Sequence, residues 1–133
     1  MKDLVWDDML SVGIDEIDED HRRLVDLFNI LNHSVTEGAD SDYVGAVLEE
    51  LINCTVWHFS HEERLMLKYG YQGIDEHKIE HQDLIKGARE LQQKYLQVGE
   101  LDEKEDLSYL ELWLTGHILS TDMRLGSYLI EVM

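Results

Sequence analysis

A chain of 133 residues, of which 44% are hydrophobic, is predicted to form one domain over residues 1–133 around a single core. The absence of proline and the long stretches without helix breakers predict an all-helical fold. The 29 acidic residues outnumber the 11 basic ones and give a formal net charge of −18, which argues against nucleic acid and anionic membranes as partners.

The start of the chain and the single cysteine bear on the cellular compartment. Residues 1–8 combine one lysine with three acidic residues and lack the apolar stretch of a secretory signal. No apolar run approaches the roughly 20 residues of a membrane span. Cys54 has no mate for an intramolecular disulfide and is interpreted as a small buried apolar residue. We therefore expect a soluble, cytoplasmic protein.

Glycines and acidic capping residues divide the sequence into an irregular N-terminal segment and four helices. The segment covers residues 1–17, and the helices are predicted at about 18–37, 42–69, 74–98 and 102–130. Asp40 or Ser41 can cap the second helix, and Asp102 with Glu105 has the spacing of a capping box. The short connections predict an antiparallel up-down-up-down four-helix bundle.

Every predicted helix carries a histidine on its apolar stripe. Steps of three and four residues through apolar positions include His21, then His58, then His77 and His81, and finally His117. An unpaired imidazole in a dry core is costly, so the set needs a compensating interaction. One buried histidine would be explained by a bond to a neighbour, but five together are not.

Antiparallel packing predicts that these histidines meet at one end of the bundle. The late part of the second helix lies beside the start of the third, and the start of the first lies beside the second half of the fourth. Two carboxylates join the same level. The candidate metal ligands are therefore His21, His58, Glu62, His77, His81, His117 and Asp122. Seven ligands exceed the four of a tetrahedral zinc ion and favour two metals that share carboxylates.

Ligand type alone leaves the metal open among iron, manganese and zinc. A zinc-protease His-Glu-x-x-His motif is absent, because Glu62 is followed by Glu63, Arg64 and Leu65. The Glu-x-x-His pairs of carboxylate-rich di-iron enzymes are also absent. Because fewer anionic ligands stabilise high-valent iron less, reversible oxygen binding is favoured over oxygen activation.

Four motifs resemble those of the hemerythrin family, and the match spans almost the whole chain. They are Asp18-x-x-His21, His58-Phe59-Ser60-His61-Glu62-Glu63, His77-x-x-x-His81 and Trp113-Leu114-x-x-His117-Ile118-x-x-x-Asp122. Trp6 in the N-terminal segment also stands at a family-like place.

The resemblance implies a division of the ligands between two iron ions. It assigns one iron to His77, His81 and His117, the other to His21 and His58, and both to Glu62 and Asp122. It further implies Fe2+/Fe3+ ions joined by an oxo or hydroxo bridge, with one open position where dioxygen binds. Family-like pocket residues are Phe59, Trp113, Leu114 and Ile118.

The resulting hypothesis is reversible dioxygen binding by a protein that is not an enzyme. The expected role is oxygen storage, transport or delivery to an oxygen-consuming enzyme, and the expected state is a monomer. The alternatives are a di-iron oxidase or peroxidase and an iron or oxygen sensor. A sensor would need an output domain, for which 133 residues leave no room.

A few residues fit the ligand pattern less directly. His117 and Asp122 are five positions apart, about 140° around an ideal α-helix, so their pairing depends on the resemblance. Asp20 stands where many relatives carry glutamine and could orient a ligand imidazole, but a solvated acidic residue is the favoured interpretation. His33 and His61 are predicted to be surface or rim histidines outside the ligand set.

Overall fold

The computed structural model describes residues 2–133, in which four helical rods form the predicted antiparallel bundle and no strand occurs. The first three rods are α1 Asp15–Thr36, α2 Ser41–Lys68 and α3 Ile74–Val98. The fourth rod is composite, with a π-helical turn at Glu103–Leu107, α4 at Ser108–His117, a second π-helical turn at Ile118–Asp122 and α5 at Met123–Val132. The all-α four-helix bundle is confirmed.

Helix α1 begins three residues earlier than predicted, at Asp15 instead of Asp18. The acidic side chains of Asp15, Glu16 and Asp18 lie in its first turn, where they interact favourably with the helix dipole. The carboxylate of Asp18 accepts hydrogen bonds from the Val12 backbone N–H at 2.8 Å and from the Ser11 hydroxyl at 2.5 Å. These bonds tie the N-terminal segment to the start of the helix.

The predicted capping box at the fourth rod is correct in its first half only. Asp102 accepts hydrogen bonds from the backbone N–H groups of Lys104 and Glu105. In the second half, the Asp102 backbone N–H donates to the carboxylate of Asp106 at 2.8 Å and not to that of Glu105. The first turn is π-helical, so the returning carboxylate stands one residue later than in an α-helix.

The core lies between the four rods and includes the fully buried side chains of Phe28, Leu48, Leu107 and Leu125. Cys54 is only partly buried, so its interpretation as a small buried residue was wrong. No helix within residues 2–133 is long and apolar enough to cross a membrane.

The N-terminal segment lies against the bundle along its length. Asn29 of α1 exchanges two hydrogen bonds of 2.8 Å with the backbone of Leu4, and Val12 is buried against α5. A Cβ atom at Gly126 would lie 2.3 Å from the Val12 carbonyl oxygen. A hydrogen atom at this position of α5 is therefore what lets the segment approach so closely.

We expect Gly126→Ala to lower the free energy of unfolding by about 1 to 3 kcal/mol, because the added methyl must displace backbone. The control is Gly116→Ala, where a Cβ atom meets nothing within 4 Å. That change should leave stability unaltered or raise it by up to about 1 kcal/mol, the intrinsic preference for alanine in a helix. Denaturant unfolding of both variants checks this, and equal effects would contradict it.

Candidate metal centre

All seven predicted ligand residues are buried and lie together between the four rods. None of their side chains is more than 6% exposed. The first rod contributes His21, the second His58 and Glu62, the third His77 and His81, and the fourth His117 and Asp122.

The potential ligand atoms form two overlapping groups, and within each group they lie within 4.8 Å of one another. The first group consists of Glu62, His77, His81, His117 and Asp122. The second consists of His21, His58, Glu62 and Asp122. Glu62 and Asp122 belong to both, which gives three imidazoles on one side, two on the other and two shared carboxylates.

The imidazole Nε2 atoms point at the two carboxylates. The distance from His21 Nε2 to Asp122 Oδ2 is 2.8 Å, and that from His58 Nε2 to Glu62 Oε2 is 3.4 Å. His77 Nε2 lies between the carboxylates, 3.3 Å from Glu62 Oε1 and 3.2 Å from Asp122 Oδ1. The nitrogen and oxygen lone pairs thus converge on a common space.

Although several of these converging atoms lie within ion-pair distance of one another, most of them make no hydrogen bond of acceptable geometry within residues 2–133. They are the Nε2 atoms of His21, His58, His77 and His117, Oε2 of Glu62 and both carboxylate oxygens of Asp122. Buried polar atoms without partners are costly and rare in folded proteins. Metal ions would accept lone pairs from all of them, and imidazole with carboxylate suits iron, manganese or zinc. The residues therefore fit two metal ions that share Glu62 and Asp122.

The second π-helical turn explains how His117 and Asp122 reach the same space. The Met123 N–H donates to the Ile118 carbonyl oxygen, five residues back instead of four. The wider turn holds one extra residue, so Asp122 takes the position that the fourth residue after His117 would occupy in an α-helix. The 140° separation of an ideal helix does not apply here.

Three ligand imidazoles bind a carboxylate on their outer side through Nδ1. The pairs are His58 with Asp20 at 2.8 Å, His81 with Glu63 at 2.9 Å, and His117 with Glu80 at 2.7 Å. Such a bond holds the proton on Nδ1 and leaves the Nε2 lone pair for the centre. The interpretation of Asp20 as a solvated acid was wrong, since its side chain is only 10% exposed.

The two histidines left outside the ligand set have different surroundings. His33 is a surface residue, 56% exposed and paired with Asp3. His61 lies at the rim, as predicted, but both of its ring nitrogens contact carboxylates: Nδ1 lies 2.6 Å from Asp20 and Nε2 lies 2.8 Å from Glu16. The sequence analysis raised a contact between Asp20 and a ligand imidazole as the less favoured alternative, but it did not predict these contacts of His61.

A largely apolar cavity adjoins the cluster and has room for roughly one water-sized molecule. All four predicted pocket residues line it: Phe59, Trp113, Leu114 and Ile118. So do Leu24, Thr55 and Leu84, which were not predicted as pocket residues because their helical spacing is that of ordinary core positions. The cavity is bordered by His21, His58, His117 and Asp122.

Two aromatic residues of this wall are held in place. The Trp113 indole N–H donates to the Leu84 carbonyl oxygen at 2.9 Å. The Phe59 ring stacks on the His81 imidazole, with centroids 3.7 Å apart and planes inclined by 7°. Phe59 therefore supports an imidazole as well as lining the cavity.

Comparison with known proteins identifies relatives over most of the chain. The family model "Hemerythrin HHE cation binding domain" matches residues 12–129. A bacteriohemerythrin of Pseudomonas paraeruginosa is 38% identical over 122 residues, covering 92% of this chain and 78% of the relative. A myohemerythrin of Riftia pachyptila is 30% identical over 120 residues, covering 90% and 88%. The crystal structure of a wild-type hemerythrin matches with a TM-score of 0.86 and 28% identity, covering 95% of this chain and 97% of the other.

The buried carboxylates control protonation in the metal-free protein. Burial lowers the pKa of His58, but Glu62 and Asp20 outweigh it and raise that pKa to about 10. Burial also lowers the pKa of His117, and Asp122 with Glu62 raises it to about 11. Without metal, these imidazoles therefore carry protons at neutral pH and offset the charges of Glu62 and Asp122.

We expect the metal-free protein to lose stability as pH rises from neutral to about 10. A histidine whose pKa is raised on folding stabilises the fold fully below its unfolded value of about 6.5, and this contribution is lost as pH rises through the folded value. Melting temperatures measured between pH 7 and 10 should fall. Asp122→Asn should flatten this slope, because His117 loses its largest favourable charge partner. A wild-type melting temperature that does not change over this range would contradict the prediction.

Proposed function

The chain belongs to the hemerythrin family, and from that premise we propose that it binds dioxygen reversibly at a non-haem di-iron centre. Members of this family are oxygen-binding proteins and not enzymes. The observation that carries the proposal is the pair of overlapping ligand groups beside an apolar cavity.

We assign the ligands by the two groups. One iron would be held by His77, His81 and His117, the other by His21 and His58, and both by Glu62 and Asp122. Two iron ions, joined by an oxo or hydroxo bridge, would supply the electrons that dioxygen takes up on binding and returns on release.

The apolar cavity supports an oxygen position on the two-imidazole side. That side has one imidazole fewer, and both of its histidines, His21 and His58, border the cavity. Neither His77 nor His81 lines it. Leu114 and Ile118, each less than 5% exposed, would exclude water and anions from this space.

The surface charge and the cysteine content support the proposed setting. A net charge of −18 makes copies of the chain repel one another, which favours a monomer. The lone Cys54 suits a reducing, cytoplasmic compartment. We propose oxygen storage or delivery to an oxygen-consuming enzyme there.

Reversibility tests the proposal directly. Protein produced with ample iron should hold two irons per chain, and the reduced form mixed with oxygen should give a stable spectrum that deoxygenation reverses. Rapid one-way conversion to a ferric product would favour redox catalysis instead. One zinc per chain without iron would contradict the di-iron assignment.

Ligand variants complete this test. His58→Ala and His81→Ala should each lower the iron content and destabilise the fold, because neighbouring ligands lose the metal that satisfies them. His33→Ala is the control, since His33 is exposed and belongs to neither ligand group. Its iron content should stay at two per chain.

We expect Leu114→Ala to shorten the lifetime of the oxygenated protein while iron stays near two per chain. The smaller side chain opens the cavity to water and protons, which promote irreversible oxidation. The truncation should also lower stability by roughly 2 to 5 kcal/mol. Decay of the oxygenated absorption band, measured beside iron content and melting temperature, checks this.

Leu110→Ala provides the matched control for Leu114→Ala. Leu110 lies one helical turn earlier in α4, is 2% exposed and does not line the cavity. Its truncation should lower the melting temperature without a faster decay. If both variants decay at the wild-type rate, Leu114 is a packing residue only.

A further inference from the structure

We propose that His61 is a positioning residue, which holds Asp20 in place so that Asp20 orients His58 toward the two-imidazole side of the centre. The inference rests on the proposed function, because it concerns how tightly one of the two metal ions is bound. We call the set Glu16, His61 and Asp20 the brace.

The brace is a continuous series of contacts. One oxygen of Asp20, Oδ2, contacts His58 Nδ1 at 2.8 Å and His61 Nδ1 at 2.6 Å. His61 Nε2 in turn contacts Glu16 Oε1 at 2.8 Å. Glu16 and Asp20 lie one turn apart on α1, and His58 and His61 lie one turn apart on α2. The brace therefore links the two helices at the level of the metal centre.

The contact with Asp20 determines what His58 offers to the centre. An ionised carboxylate only accepts hydrogen bonds, so Nδ1 of His58 must carry the proton. The other nitrogen, Nε2, lies 3.4 Å from Glu62 and is the one that would offer its lone pair to a bound metal ion. An imidazole held in this way is a better metal ligand than one free to rotate or to change tautomer.

Asp20 is the only outer carboxylate found on the two-imidazole side within residues 2–133. Glu63 and Glu80 both support histidines of the three-imidazole side. Nδ1 of His21 has no hydrogen-bond partner in the part of the chain that the structure describes. Loss of the brace should therefore weaken one metal position and spare the other.

The burial of Asp20 explains why His61 is needed. The side chain of Asp20 is 10% exposed, against 28% for Glu63 and 36% for Glu80. A carboxylate removed from water needs nearby donors, or it turns toward solvent. His61 supplies a second donor and is itself held by Glu16. His61 belongs to neither ligand group, and its side chain reaches a ligand imidazole through the contact with Asp20.

The experiment uses the full chain loaded anaerobically with ferrous iron and extracted with excess chelator. In His61→Leu, we expect one iron per chain to leave about tenfold faster or more, the usual size of such outer-ligand effects. The other iron should leave at the wild-type rate. In His61→Asn, whose amide N–H group can replace the Nδ1 donor, the first iron should leave at close to the wild-type rate. Asp20→Ala should also release one iron faster while the other leaves at the wild-type rate. It replaces His61→Leu as the test variant if His61→Leu does not fold.

Two further measurements separate positioning from general destabilisation. In the metal-free protein, the Nδ1 proton of His58 should be protected from exchange in the wild type and exposed in His61→Leu. The double variant Asp20→Ala/His61→Leu should lose iron no faster than Asp20→Ala alone, because both changes break one path. His33→Leu removes a matched surface pair with Asp3 and should change neither readout.

Failure of the positioning role can be distinguished from failure of the proposed function. Release of both irons at wild-type rates from His61→Leu, or equal acceleration of both, would overturn the positioning role. A wild-type chain that holds fewer than two irons would overturn the proposed function, and the positioning role with it.

Discussion

The burial of two carboxylates in the middle of the bundle is the constraint on which the rest of the structure depends. Glu62 and Asp122 are both fully buried, and an uncompensated buried charge costs several kcal/mol. Each of the four rods contributes at least one imidazole that can offset these negative charges. Without metal the compensation comes from protons on the imidazoles, and with metal it would come from the cations. The same contacts therefore define which face each helix turns inward.

The bundle and most of the ligand set could be predicted because both depend on local signals. Helix α3 has its predicted bounds at both ends, between Gly73 and Gly99, where Gly99 adopts the left-handed backbone that ends helices. The two π-helical turns could not be predicted, since residues 103–107 and 118–122 carry no local mark of the extra residue. The only trace in the sequence was the five-residue spacing of His117 and Asp122, which no single face of an α-helix accommodates.

The outer network was misjudged because charged residues at the rim of a helix face are ambiguous. Asp20 precedes His21 directly, and a carboxylate at that position can as easily face water as a neighbouring helix. Its contacts with His58 and His61 join residues 38 and 41 positions apart, so only the packing of α1 on α2 brings them together. Helical periodicity describes one helix at a time, so it cannot predict contacts between side chains of two different helices.

The second π-helical turn connects the polar and the apolar halves of the centre. Glu80 of α3 accepts hydrogen bonds from the imidazole of His117 and from the hydroxyl of Thr121, on either side of the wider part of the turn. Ile118, at the start of the same turn, lines the apolar cavity, and Asp122 at its end is shared by both ligand groups. Because one short segment carries a ligand contact, a cavity wall and a shared carboxylate, none of these can move without shifting the others. The extra residue thus couples the shape of the cavity to the geometry of the metal ligands.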